Sequence, residues 1–261
     1  MRAILAIAGT TVGEAIRRRV LLIILLIGVL FLVVAPGLGV LSARQETVVM
    51  KGMMLGIIQL TSAVIAIVLT VYMVPNEIER RTIYTILSKP VQRWQFLMGK
   101  YLGAVAALAM MMALMSAIMV FVFWVQQKDI SAAVELVKAP AMYFVQMSLL
   151  AAVAIFFSTF VSPLVNFFLS GGMYLLGSLF NPFFQTLEQN QNTPPIAKIG
   201  AQLVNWLIPN FANYNIQNPL INPQQVIENE NRYYLYTTGY GLFYIALLLV
   251  AGMLIFDRRE V

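Results

Sequence analysis

The side chains that could do chemistry in this 261-residue chain are limited to carboxylates, ammonium and guanidinium groups, hydroxyls and thioethers, because it has neither Cys nor His. Thiolate and imidazole nucleophiles, a His general base, a zinc site of the usual kind and disulfides are all excluded. The densest group of charges lies in Asn76 to Lys100, NEIERRTIYTILSKPVQRWQFLMGK, where Glu77, Glu79, Arg80 and Arg81 open the segment and Lys89, Arg93 and Lys100 follow. The Gly99-Lys100 pair lacks both the upstream glycine and the following Ser or Thr of a phosphate-binding loop. Met110, Met111, Met112, Met115 and Met119 form a second group, whose thioethers could line a path for soft copper. Flexible packing is the simpler use of the same residues.

The elements that must carry these groups follow from composition. With 60% hydrophobic and 11% charged residues, the chain falls far outside soluble usage. Uncharged stretches run over 20–43, 52–76, 101–127, 139–187 and 233–256, each longer than the roughly 20 residues that cross hydrocarbon. The fourth is long enough for two passes, and Ser162-Pro163 near its middle favours a helix end. The expected fold is all-α and polytopic, with membrane spans over 20–43, 53–75, 98–125, 141–161, 164–184 and 235–256; five or seven spans are the alternatives. Residues 185–234 form an extracytoplasmic loop, because the Asn and Pro residues of 199–227 could not satisfy their amides in lipid. Within it Ile196, Ile199, Leu203 and Leu207 recur at helical spacing, predicting a short amphipathic helix over 195–208 at the membrane surface. Residues 1–19 are expected to form an interfacial helix running directly into the first span, with Ile4, Leu5, Ala8, Val12, Ala15 and Ile16 on one face.

Orientation comes from the basic residues. With both termini cytoplasmic, eleven Lys and Arg lie inside and six (Arg44, Lys51, Lys128, Lys138, Lys198, Arg232) outside, and the whole net charge of +6 is cytoplasmic. Charges that flank spans in this way give no reason to invoke nucleic acid. Residues 76–97 then form a cytoplasmic loop. Ile83, Ile86 and Leu87 give it a short amphipathic helix, which Ser88-Lys89-Pro90 ends. Trp94 and Lys100 suit a return to the interface.

The same loop resembles that of the permease subunits of type-2 ABC transporters, including the permease of the nitrous-oxide-reductase maturation system. The matching residues are Glu77 or Glu79, Thr82, Leu87-Ser88-Lys89-Pro90, Arg93 and Gly99-Lys100-Tyr101-Leu102-Gly103. The likeness extends to Glu14 to Arg19, Phe157-Ser158-Thr159 beside Ser162-Pro163, Leu207-Ile208-Pro209-Asn210 and Phe256-Asp257-Arg258-Arg259-Glu260. Arg81 departs from the glycine that many relatives carry before the Thr. The resemblance implies that Glu77, Glu79, Arg80, Arg81, Thr82, Leu87, Ser88, Pro90 and Arg93 belong to a coupling helix that docks on a separate ABC ATPase subunit. The bland alternative is a solvated loop that only obeys the charge rule.

The resemblance further implies a permease, an exporter by expectation, that binds no cofactor itself while ATP and Mg sit on the partner ATPase. A second permease copy, in a homodimer or a similar heterodimer, and a bacterial-type plasma (inner) membrane complete the expectation. The uncharged spans argue independently against a proton-coupled carrier and against an intramembrane enzyme, since both need ionisable groups at depth. Gly171, Gly172 and Gly177 are the expected sites of tight helix packing. The competing reading is a membrane scaffold or sensor component that transports nothing.

Overall fold

The structure, a computed structural model, describes residues 2–39, 46–75, 92–180, 186–187, 194–216 and 229–258. In chain order these form α1 (Arg2–Arg17), α2 (Arg19–Gly39), α3 (Glu46–Val71), α4 (Arg93–Gln127), α5 (Ile130–Glu135), α6 (Lys138–Ser158), α7 (Pro163–Leu175) with a π segment (Leu176–Phe180), α8 (Pro195–Leu207), a 3-10 turn (Ala212–Tyr214) and α9 (Glu230–Arg258). No strand occurs among the described residues. The protein is an all-α, multi-pass membrane protein, and among the described residues five helices are long and apolar enough to cross a bilayer: Arg19–Gly39, Glu46–Pro75, Arg93–Gln127, Ile130–Ser158 and Glu230–Asp257. A shorter apolar helix covers Pro163–Leu179.

Sequence pattern explains which faces meet. In α2 the buried residues Leu21, Leu25, Gly28, Leu32, Ala35 and Gly39 alternate spacings of four and three, a single helical seam. Leu22, Ile23, Leu26, Leu30 and Val33 are exposed and form the face left for lipid. The seam packs on α3 and α4, and at Gly28 a Cβ would stand 2.7 Å from the Thr61 side chain and 3.0 Å from Met115 Cε. Helix α6 is the hub, touching α3, α4, α7, α9 and the 3-10 turn. Its Ala151, Ala152 and Ala154 are buried, and such small residues let helix backbones approach.

The hairpin after α6 forms where Ser162-Pro163 predicts it. Pro163 occupies the first turn of α7, where a missing N–H costs nothing. Asn166 is wholly buried there and donates to the Ala154 carbonyl at 2.9 Å, while Ser170 Oγ donates to Asn166 Oδ1 at 2.8 Å. These bonds tie α7 to α6 where no water could satisfy the amide. Asp129 caps α5 by accepting from the Ser131 hydroxyl and N–H and from the Ala132 N–H. The Ser131 hydroxyl contributes most to holding its carboxyl below the usual carboxylate range.

Three expectations are refined. The N-terminal helix does not run straight into α2 but breaks at Arg18 and packs along α4. Of the α7 glycines only Gly177 packs tightly: a Cβ at Gly171 would meet just Ile67 Cδ1 at 4.0 Å, and one at Gly172 nothing within 4 Å. The methionines of α4 divide, with Met111, Met112, Met115 and Met119 in the core and Met110 45% exposed.

Candidate functional site

Of the residues matched to the coupling helix, Glu77, Glu79, Arg80, Arg81, Thr82, Leu87, Ser88 and Pro90 lie outside the described residues, as does the helix expected around Ile83 and Ile86. Arg93 is described, and it stands at the point where the chain leaves that segment. The Gln92 N–H donates to Gln95 Oε1 at 3.2 Å, and the Trp94 indole N–H donates to Gln92 Oε1, so side chains of the first turn fold back on the residue that precedes α4. From there α4 continues unbroken for 35 residues, about 52 Å at 1.5 Å per residue.

The Arg93 guanidinium donates from Nη1 to the carbonyls of Phe256 at 3.0 Å and Asp257 at 3.1 Å. Both carbonyls belong to the last turn of α9, which has no helical donors of its own and carries the negative end of the helix dipole. The guanidinium also lies 5.9 Å from the Phe256 ring centre, and Phe256 stacks on Phe96 of α4 at 6.2 Å. Arg93 therefore ties the start of α4 to the end of α9. Arg93→Ala leaves those carbonyls without this donor and is expected to destabilise the junction by about 1.5–3 kcal/mol, the usual value of a charged hydrogen bond. Hydrogen exchange of the last turn of α9 checks this, and unchanged protection would contradict it.

About two and three turns further along α4, Gly99 and Gly103 meet α1. A Cβ at Gly99 would lie 2.8 Å from Ile7 Cβ, and one at Gly103 only 2.5 Å from Thr11 Cβ and 2.8 Å from the Ala8 carbonyl oxygen. Between them Lys100, 3% exposed, pairs with Glu14 at 3.6 Å and lies 5.8 Å from the Phe96 ring centre. Glu14 remains half-exposed, so the pair is solvated on one side and contributes modestly. The first helix, the start of α4 and the end of α9 thus form one junction beside residues 76–91.

The other end of the bundle is closed by the segment after α8. Phe211, Tyr214 and Ile216 are buried, and the Phe211 and Tyr214 N–H groups find partners within the protein. The Phe211 N–H donates to the Gly177 carbonyl at 3.1 Å, and its own carbonyl accepts from Gln146 Nε2 at 2.8 Å. Gln146 is wholly buried in α6 and in turn accepts from Gln59 Nε2 of α3 at 3.2 Å. On the α9 side the Asn210 N–H donates to Tyr240 Oη at 3.0 Å, and Tyr214 donates to the Thr237 carbonyl at 3.2 Å. Tyr174 stands edge-on to Phe211 at 5.7 Å. In the π register the donor for the Gly177 carbonyl would be residue 182, a proline with no N–H, which leaves that carbonyl open to Phe211.

Sequence reasoning missed this closure. Its signal was available in Gln59 and Gln146, two amides set within apolar spans where a polar side chain needs a protein partner. Helix α8 does form where periodicity predicts it, with Ile196, Ile199 and Leu203 exposed along one face.

A comparison of the sequence with curated proteins finds no match. The profile of the ABC-2 family transporter proteins, by contrast, matches residues 5–261, which span the N-terminal helix, the junction at Arg93 and the closure alike. The chain belongs to the ABC-2 family of transporter proteins and is a membrane permease subunit of an ABC transporter.

Proposed function

We propose that this permease is an exporter subunit that couples to its ABC ATPase through residues 76–93 and opens its far end by releasing residues 208–216. The observation that carries the reading is the junction at Arg93: the exit of the charged loop is bonded to the last turn of α9, while α4 leads from it through the bundle. A displacement of the loop would reach two spans at once. Glu77, Glu79, Arg80, Arg81, Thr82, Leu87, Ser88 and Pro90 supply the docking surface in this reading, and Arg93 is its hinge to the bundle. ATP and Mg belong to the ATPase, and this chain holds no nucleotide. Differential contact of the ATPase with the loop in its two states is what would shift the equilibrium of the permease.

The proposal includes six spans, with Pro163–Phe180 as the fifth crossing, and both termini at the cytoplasmic face of a bacterial-type plasma membrane. The bias of eleven basic residues against six supports that orientation. Two copies, or this chain and a similar partner, would pair so that substrate passes outward between them. The narrower likeness to the permease of the nitrous-oxide-reductase maturation system rests on the order of the loop, hairpin and C-terminal motifs.

The test is a pull-down of the tagged, full-length chain in mild detergent with an ATP hydrolysis assay. The wild type is expected to bring down a stoichiometric ATPase. Glu77→Ala with Glu79→Ala is expected to lower that recovery by about tenfold, on the order of the loss of two charged contacts, while membrane insertion is unchanged. Undiminished recovery would remove the docking role from these residues. Reproducible absence of any ATPase from intact wild-type preparations would favour a scaffold instead.

A further inference from the structure

Beside α5 the bundle carries an open apolar groove of about 530 Å³, within the range of a small-molecule site. Ala113 and Ala117 form its floor on α4, Phe121 and Trp124 one wall, and Ile130 and Val137 the other. The hydroxyl of Ser116, the polar side chain in the lining, donates to the Met112 carbonyl at 2.8 Å and is spent there. Nothing in the groove is set to recognise a polar solute.

Depth identifies the occupant. Lys100 with Glu14 marks one boundary of the hydrocarbon on α4, and Lys51, 5.8 Å from the ring centre of Phe123, marks the other. The 23 residues between these levels rise about 35 Å, close to the hydrocarbon thickness of roughly 30 Å. The floor therefore lies about 9 to 15 Å inside the boundary, at acyl-chain depth, and Trp124 stands at the interface. Lys128, about 7 Å beyond the boundary, is exposed and makes no ion pair among the described residues. Its αL backbone, at φ 56°, caps α4 two residues before the groove-lining Ile130. An apolar trough in the leaflet with a cation at headgroup depth has the charge and polarity of a single phospholipid.

We propose that this groove is a phospholipid-binding site, in which one acyl chain lies on Ala113 and Ala117 and the phosphate meets Lys128. The site rests on the helices crossing a bilayer and not on ATPase coupling, so the pull-down and the lipid measurement can fail separately. It is also apart from the closure at Gln146 and Phe211, which the lining does not include.

The chain has three Trp, and Trp94→Phe with Trp206→Phe leaves Trp124 as the sole fluorophore in the groove wall. Full-length protein in maltoside micelles is titrated with a phosphatidylglycerol brominated on its acyl chains. Quenching is expected to saturate, and Ala117→Phe, an exposed position whose new ring fills the floor, is expected to raise the half-saturating lipid about tenfold. Ala113→Phe is the second variant, and monodisperse elution is required of both. Lys128→Glu is expected to raise half-saturation roughly fivefold by reversing the charge met by the phosphate. Unsaturable quenching that is the same in both Phe variants would mean ordinary boundary lipid and would overturn the proposal, as would no quenching. A shifted Ala117→Phe curve beside an unshifted Lys128→Glu curve would mean that any alkyl chain fills the groove, detergent included, and would overturn the phospholipid assignment.

Discussion

Gly103→Leu is expected to strip α1 from the bundle, with a loss of stability above the roughly 1–3 kcal/mol typical of an overpacked site. The contacts leave no room for a side chain. A Cβ at this position would stand 2.5 Å from Thr11 Cβ and 2.8 Å from the Ala8 carbonyl oxygen, and the second of these is backbone that cannot rotate away. Helix α1 must then lift off α4, which separates Glu14 from Lys100 and breaks their 3.6 Å ion pair. Gly9→Ala is the control, because a Cβ at Gly9 meets nothing within 4 Å. It is expected to stabilise α1 by about 0.5–1 kcal/mol through helix propensity alone. Thermal aggregation midpoints in one detergent, with proteolysis at Arg17 to Arg19, compare the two. Equal midpoints and equal cleavage would sink the claim that α1 is docked through these glycines.

The second large effect is expected at the opposite end. Gly177→Val places branched atoms where a Cβ alone would stand 2.6 Å from both Phe211 Cδ2 and the Pro209 carbonyl oxygen. Residues 208–216 are expected to leave the bundle, breaking the 3.1 Å bond from the Phe211 N–H and freeing the ring of Phe211 from Tyr174. Gln146→Leu reaches the same segment by another route, since it removes the 2.8 Å donor to the Phe211 carbonyl and leaves that acceptor only the longer 3.3 Å bond from the Tyr214 N–H, a cost of about 0.5–1.5 kcal/mol. The readout is labelling of a single cysteine at Ala212, which is supplied by Ala212→Cys in a chain otherwise free of Cys. Wild-type background is expected to label slowly with a water-soluble maleimide, and both variants at least about tenfold faster, the factor that corresponds to 1.4 kcal/mol of opening. Equal labelling rates would show that the segment is not held by these contacts.

Much of this molecule was legible before its structure. The long apolar helices declare themselves because lipid tolerates no unpaired charge, and each of the five found among the described residues carries an uncharged stretch of about 20 residues or more. The hairpin at Ser162-Pro163 followed from a single residue that cannot continue a helix. The destination of α1 was harder, since its apolar face could meet lipid or protein equally well. Its packing was decided by the absence of side chains at Gly99 and Gly103, eighty residues or more along the chain, which periodicity within 1–19 cannot reveal. Residues 208–216 were read as outer loop because their Asn and Pro content suits water. The structure satisfies the backbone of Asn210 and Phe211 with Gln146, Tyr240 and the Gly177 carbonyl, partners that come from three different helices. The family resemblance implied a coupling role for Arg93, and the structure adds that its guanidinium bonds the end of α9. Which residues of one loop turn inward is a question of tertiary position, and no local pattern encodes it.

The hub helix has a consequence for biosynthesis. Ile130–Ser158 is the least hydropathic of the five long spans and also the most buried, with 72% of its apolar window covered against 28% for the first and last spans. A segment that gains less from lipid than its neighbours enters the bilayer with a smaller driving force when it emerges alone from the ribosome. Its partners α3 and α4 precede it in the chain and can receive it, whereas α7 and α9 arrive only afterwards. Truncated nascent chains that end after α6 should therefore depend on an insertase, and variants that loosen α3 or α4 should be lost at the translocon before the finished fold can be measured.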